Sequence, residues 1–304
     1  DTWIEGVEPS LFDKDAPCEV DFSKSAEFLS KIREAGIVGM GGATFPTHIK
    51  LSPPPDKKID TLILNGAECE PYLTADHVLM LERPRSILLG MRIMQEILKV
   101  QNVIISIENN KPDAVEAMRK AAEGYADVTI AVCQTRYPEG GEKQLINAVL
   151  GREVPSGKLP MEVGSVVQNV GTAFAVYEAV ALHKPLIERV LTVTGPAIRH
   201  PKNLLARIGT PFKDILNYCG YEDQENNKVI MGGPMMGKAQ KYLDVPVVKG
   251  TSGILGITAA EVVVMEHRPC IRCGQCVQAC PMGLNPTLLA ASVENEDMDD
   301  LLKN

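Results

Sequence analysis

Three short apolar runs constrain this chain most. They are residues 59–65 (IDTLILN), 103–107 (VIISI) and 128–132 (VTIAV). Each is too short for a buried helix and lacks polar alternation, so each reads as a strand covered on both faces. Between them the apolar residues fall at helical spacing. Ile87, Leu88, Met91, Met94 and Leu98 share one face of a helix predicted over 84–98, with Pro84 at a favoured first-turn position. A second helix is predicted over 112–122. A fourth apolar stretch, VGSVVQNVGT, ends in polar Gln168 and Asn169 before a helix predicted over 172–182. Strands alternating with helices imply a Rossmann-like, doubly wound, mostly parallel α/β sheet. Ligands of such sheets bind beyond the carboxyl ends of the strands. NGAECEP, ENNKPD and QTRYPEGGEK follow the first three strands and are the segments to search.

The texture changes after residue 185. Residues 188–195 are strand-like, 203–220 look helical with breaks, and 228–237 return to strand and turn, which suits a small α+β domain. The expected division is a linker over 1–24, an α/β domain over 25–185, the small domain over 186–247 and a cysteine-bearing segment over 259–304. A helix is predicted over 25–35, with Gly36 in the position of a C-terminal cap glycine. The first residues, DTWIEGVEPS, carry no targeting signal and read as the start of a piece cut from a longer chain.

The net charge of -8 and the 5% aromatic content argue against nucleic acid as a partner. No apolar run reaches the length of a membrane helix. Of the 8 cysteines, Cys18, Cys69, Cys133 and Cys219 are scattered, and the other four are crowded near the end. That distribution suits a reducing compartment with one metal site rather than a disulfide framework. None of the five histidines falls at ligand spacing.

The crowded cysteines are Cys270, Cys273, Cys276 and Cys280, followed by Pro281. This is the C-x2-C-x2-C-x3-C-P run of bacterial ferredoxins, which binds a 4Fe-4S cluster. Zinc also takes C-x2-C pairs, but three such cysteines in a row and then Cys-Pro is not its usual pattern. In two-cluster ferredoxins the fourth cysteine ligates the other cluster, and no second run follows here. Either Cys280 closes this cluster, or a second run lies beyond Asn304 and the cluster in this piece is incomplete.

The stretch AGIVGMGGATFPTHIK packs Gly36, Gly39, Gly41 and Gly42 into seven residues. It is not a Walker A loop, because Lys50 lies eight residues past Gly42. It is not a dinucleotide fingerprint either, since it follows a helix and has Thr44 at the third glycine place. A tight turn with Phe45 in the core and a loop lying against a flavin both remain open on these residues alone.

GMGGATFPTHIK, NGAECEP, YPEGGEKQLI and VVQNVGT occur in the order found in the flavin subunit of respiratory complex I. With LILNGAECEPYLTADHVLMLERP, GREVPSGKLP, KVIMGGPMMG and CIRCGQCVQACPMG, the chain resembles more closely the RnfC family of the Rnf ferredoxin:NAD oxidoreductase complex. The resemblance implies FMN at the carboxyl edge of the sheet, with NAD(H) stacked on it. By position, Gly39, Gly41, Gly42 and Lys50 would hold FMN, and Asn65 and Glu68 would face its ring. Tyr137, Gly141 and Glu142 would close the pocket. Asn169 and Thr172 would bind the phosphate at a helix N-terminus, next to Gln168, which replaces an asparagine of complex I. Phe45 and Glu70 match positions around the dinucleotide. Met40 stands where complex I has arginine, and Ala67 where it has an acid. The small domain would be a β-grasp (SLBB-like) domain. RnfC-type chains carry a further domain ahead of the present Asp1 and two 4Fe-4S clusters.

The function so implied is transfer of electrons between NADH and ferredoxin-type carriers. The chain would be a peripheral subunit on the cytoplasmic face of an ion-translocating membrane complex, bound to the other Rnf subunits. A flavin can exchange hydride on one side and single electrons on the other, so the arrangement needs no side chain as acid or base. The alternatives are a soluble relative feeding another acceptor, such as a cobalamin or amino-acid reductase, and a non-catalytic adaptor with an empty flavin pocket.

Overall fold

The computed structural model describes residues 19–262 and 268–303. They fall into two compact units divided between Val262 and Val263. Cys18, His267 and most of the expected linker lie outside the described residues.

The first unit begins with a 3-10 turn leading into α1 (Phe28–Glu34). Gly36 takes φ +65, which only glycine adopts at little cost. Its N–H donates to Arg33 O at 3.0 Å, and Ile37 N–H donates to Ile32 O at 3.1 Å. These are the two bonds of a Schellman ending. A single-turn helix, α2 (Thr47–Lys50), follows the glycine stretch.

β1 (Thr61–Gly66) leads through α3 (Ala75–Glu82) and α4 (Pro84–Leu98) to β2 (Asn102–Glu108). α5 (Pro112–Ala121) leads to β3 (Val128–Cys133), and α6 (Glu142–Leu150) leads to β4 (Ser165–Asn169) and α7 (Val170–Ala181). The four strands are parallel in the order β3-β2-β1-β4. β1, β2 and β3 step one way across the sheet, and β4 returns to the far side of β1. The strand order therefore reverses between β1 and β4, where Asn65 and Asn169 are register partners.

Helices cover both faces. Leu62, Leu64, Ile105 and Ile107 pack with α4, α5 and α7 on one side. Ile63, Val167 and Cys133 pack with Leu145 and Ile146 of α6 on the other. α7 is buried from Val170 through Val180, so it is the central helix and not a surface one. Gly90 of α4 lets it lie directly on the α7 backbone: a Cβ there would fall 1.8 Å from Ala173 O.

The second sheet has five strands: β5 (Glu188–Thr194), β6 (Lys202–Arg207), β7 (Lys228–Met231), β8 (Lys238–Gln240) and β9 (Gly253–Ile257). Their order is β6-β5-β9-β7-β8. β5 and β9 run parallel in the middle and a hairpin flanks each side, which is a β-grasp arrangement. α8 (Phe212–Tyr218) packs Phe212, Ile215 and Leu216 against Leu191, Val193 and Leu204.

Two expectations need correction. NLLAR is not helical but is β6, paired antiparallel with β5; pairing and burial of Leu204 and Leu205 override the helix preference of leucine and alanine. The small domain does not end at residue 247, because β9 supplies a central strand. Its sequence, GILGI, is short and glycine-rich and carries no strand signal of its own.

The second unit contains α9 (Gln275–Ala279), α10 (Pro286–Glu294) and α11 (Met298–Lys303). The Asn285 side chain caps α10, accepting from Leu288 N–H at 3.2 Å.

Candidate functional site

The reversal of strand order between β1 and β4 opens a crevice at their carboxyl ends, the usual ligand position in such sheets. Asn65 forms one wall. Its Nδ2 donates to Gly140 O at 2.9 Å, and its Oδ1 accepts from Ala67 N–H at 3.0 Å. Gly140 has no room for a side chain, since a Cβ would fall 2.4 Å from Ala67 O. NGAECEP and YPEGGEK are thus held backbone to backbone.

Asn169 forms the other wall. Its Oδ1 accepts from Gly171 N–H at 2.8 Å and Thr172 N–H at 3.4 Å, capping α7, and its Nδ2 donates to Asp76 Oδ2 at 2.7 Å. The expected phosphate site at this helix start is therefore already engaged by its own cap.

The glycine stretch lies over this point. Gly39 N–H donates to Phe45 O at 2.8 Å and closes the loop. Met40 turns inward: it is 7% exposed, and its N–H donates to Thr172 Oγ1 at 2.9 Å. Residues 41–45 face solvent. Gly41 rests on Asn169, where a Cβ would sit 3.6 Å from the asparagine Cβ. Gly42 takes φ +108 and has open space where a side chain would be. Phe45 is 51% exposed and is not a core residue; Tyr137 is 38% exposed. Lys50 forms an ion pair with Glu142 at the start of α6, tying the glycine loop to YPEGGEK.

Glu68 points away from the surface. Its carboxylate accepts from Asp76 N–H at 3.0 Å and His77 N–H at 3.2 Å, at the start of α3. Burial first, and then the neighbouring Asp76 carboxylate, push Glu68 up to about 8. Burial also raises Asp76, against the Asn169 amide that holds it. Lys111 Nζ donates to Glu68 O at 3.2 Å and to Glu108 Oε2 at 2.8 Å; this buried pair steadies the loop from the β2 side. Glu70 accepts from Met235 N–H at 3.0 Å and Met236 N–H at 2.7 Å, clamping the GGPMMG turn of the second sheet.

The raised Glu68 gives a pH prediction. The folded state holds a proton that the unfolded chain releases near its ordinary 4.5. This contribution is present in full below that pH and is lost as pH rises through about 8. Thermal melts from pH 5 to 8.5 are expected to show a falling Tm, and Glu68→Gln to flatten the profile. An unchanged slope in the variant sinks the assignment.

The structure thus brings together Gly41, Gly42, Lys50, Asn65, Glu142 and Asn169 at one sheet edge. Gly39, Gly141, Gln168 and Thr172 sit just behind them. Glu70 is engaged elsewhere. Sequence reading missed Met40 as an anchor, Gly140 as the close contact, and Asp76, Lys111 and Arg189 as the charged frame. Each of those three is a charge beside or within an apolar run, which is the signal that was available.

Cys270, Cys273 and Cys276 are exposed and Cys280 is half-buried, all as free thiols. Arg272 N–H donates to Cys270 Sγ at 3.4 Å. The donor chemistry fits an iron–sulfur cluster, but among the described residues no three ligand side chains gather into a metal site.

Residues 32–178 match the family model described as the Nuo51 FMN-binding domain, and residues 190–239 match the SLBB domain. The chain is 54% identical, over 95% of its length, to the RnfC subunit of the proton-translocating ferredoxin:NAD(+) oxidoreductase complex of Clostridium ljungdahlii, and covers 62% of that protein. It is 49% identical, over 85% of its length, to the counterpart in the Na(+)-translocating complex of Acetobacterium woodii, covering 58% of it. The counterpart in the ion-translocating oxidoreductase complex of Rhodobacter capsulatus is 48% identical over 91% of this chain, which covers 54% of it. The chain belongs to the RnfC family. It spans 54% to 62% of the length of these relatives. The RnfC fold is shared with an NAD+-reducing [NiFe]-hydrogenase in its H2-reduced state. There the TM-score is 0.69 at 22% identity, covering 83% of this chain and 51% of that one. The air-oxidized form gives 0.64 at the same identity.

The crevice of this RnfC-type chain fits an FMN-binding role on its own geometry. Gly42 leaves open space, the exposed loop faces solvent, and Gln168 Nε2 is buried without a hydrogen-bond partner among the described residues.

Proposed function

We propose that this chain is the NADH-binding flavin and iron–sulfur part of an ion-translocating ferredoxin:NAD oxidoreductase. It would exchange electrons between NAD(H) and ferredoxin-type carriers, as one subunit among others at the cytoplasmic face of the membrane. No described helix is long and apolar enough to cross a membrane, so attachment would be through partner subunits. The observation that carries this reading is the strand reversal, with Asn65 and Asn169 facing each other under an exposed glycine loop.

In this reading Gly41, Gly42 and the Gln168 amide hold FMN, and the Lys50–Glu142 pair closes one side. FMN supplies hydride acceptance from the nicotinamide and release of single electrons. Asn65 and Gly140 keep the two flanking loops rigid, Glu68 and Lys111 hold the NGAECEP backbone, and exposed Phe45 and Tyr137 offer flat apolar surface to a stacked ring. Cys270, Cys273, Cys276 and Cys280 would gather around a 4Fe-4S cluster on loading.

The test is spectroscopic. The chain incubated with FMN and freed of excess is expected to hold the flavin and to bleach anaerobically on adding NADH. Retained FMN that NADH never bleaches overturns the hydride role. One observation favours the adaptor reading instead: Lys50, Asn169 and Thr172 already have polar partners within the chain. Failure of FMN to bind at all supports it.

A further inference from the structure

The β-grasp sheet reaches into the flavin loop. Arg189 lies on β5 and is 4% exposed. Its Nη1 donates to Lys249 O at 2.5 Å, and its Nη2 donates to Met40 O at 3.4 Å. Lys249 Nζ in turn donates to Gly36 O at 2.6 Å, at the other end of the same loop. Gly250 lies against it as well: a Cβ there would fall 2.8 Å from Thr44 Cγ2 and 3.2 Å from Gly42 O. Both carbonyls that bracket the turn into the loop, those of Gly36 and Met40, are thus held by cations of the second sheet.

The same guanidinium faces the other wall. Asp76 is the opposing charge that favours ionised Arg189, and Asp76 holds the Asn169 amide on which Gly41 rests. Arg189, Asp76, Met40 and Gly171 line one small cavity with Glu178 and Glu188. Nearby, Lys184 pairs with Glu178 at 2.7 Å and Glu188 at 2.5 Å. The charges packed around Arg189 from both sheets are therefore Asp76, Glu178, Lys184, Glu188 and Lys249.

We propose that Arg189, with Lys249, is a positioning residue for the flavin loop, so that the crevice on the first sheet takes its binding shape only when the β-grasp sheet grips Met40 and Gly36. This rests on the FMN reading for its ligand but not for its geometry. Arg189 touches no reacting atom. It acts through the Met40 carbonyl and, by charge, through Asp76 and Asn169. A lysine carries the charge but not two donors at fixed angles, so it cannot hold Lys249 O and Met40 O together.

The test compares the whole chain with Arg189→Lys and Lys249→Met. The first readout needs no flavin: hydrogen exchange of the amides of residues 39–44, set against those of β1 and β7 as internal standards. Exchange in the loop is expected to rise about tenfold in each variant, with the standards unchanged, as loss of a charge-assisted bond predicts. The second readout is FMN affinity by fluorescence quenching, expected to fall about tenfold in both. Loop exchange equal to wild type in both variants overturns the proposal, whatever FMN does. Faster loop exchange in a chain whose wild type binds no FMN supports the positioning role and sinks the FMN reading instead. Should Arg189→Lys melt at room temperature, Lys249→Met, at a half-buried position, carries the same comparison.

Discussion

Gly90→Ala is expected to be the most damaging single methyl group in the protein. Alanine ordinarily improves a helix by about 1 kcal/mol over glycine. Here the added Cβ lands 1.8 Å from Ala173 O, 2.6 Å from Ala173 C and 3.2 Å from Tyr177 N. All three are backbone atoms of α7, which cannot swing aside like the end of a side chain. α4 must lift away from α7, and α7 is buried along Val170–Val180 with no free face to move into. Overpacking of this kind costs about 3 kcal/mol. For a chain of this size that is a Tm lower by about 6–12 °C. Because Asn169 and Thr172 sit at the head of α7, the crevice moves too, and flavin affinity should fall with stability. A circular-dichroism melt of the variant at or above the wild-type Tm shows the crossing to be looser than described.

Asn65→Ala is expected to give the largest loss of binding for a modest loss of stability. It removes one donor and one acceptor at once, leaving Gly140 O and Ala67 N–H without their partner. The cost to folding is about 2 kcal/mol. The cost to FMN affinity is expected to be about 100-fold, because both loops lining the crevice lose their common tie. Asn65→Asp separates the two bonds. It keeps the acceptor for Ala67 N–H, loses the donor to Gly140 O, and places a charge near the raised Glu68. It should bind FMN more weakly than wild type at every pH. Affinity within threefold of wild type in Asn65→Ala places the flavin elsewhere.

The two predictions differ in how far the sequence could foresee them. Asn65 stands at the end of a legible strand, in a legible polar loop. Its importance follows from knowing that ligands gather at strand ends. Gly90 sits in the middle of a helix whose apolar face is equally legible, yet nothing in ILLGMRIM says that glycine is there to admit another backbone. Close approach is a property of two segments, 83 residues apart in the chain, and periodicity describes only one at a time.

The same contrast runs through the crevice. Gly42 is legible as a loop glycine, and its φ of +108 bears that out physically. In the sequence Met40 stands out only as a departure from a pattern, whereas the fold uses it as the inward anchor of the loop. Glu70 matches a dinucleotide position and sits two residues from Glu68; the fold gives its carboxylate to Met235 and Met236 N–H instead. A carboxylate takes the nearest free donors, and which donors are near is decided by the turn of a distant hairpin.

By itself the sequence determined the parallel α/β sheet, the strand ends at which a ligand would sit, and the spacing of four thiols suited to a cluster. These are local properties, set by the two-residue and 3.6-residue periods of strand and helix and by the ligand spacing of a short loop. Only the tertiary structure decided that β4 crosses back beside β1, that GILGI fills the centre of the second sheet, and that Arg189 of that sheet grips the loop of the first. These are choices among pairings of similar local quality, fixed by which arrangement buries the apolar faces and still finds a partner for each buried charge.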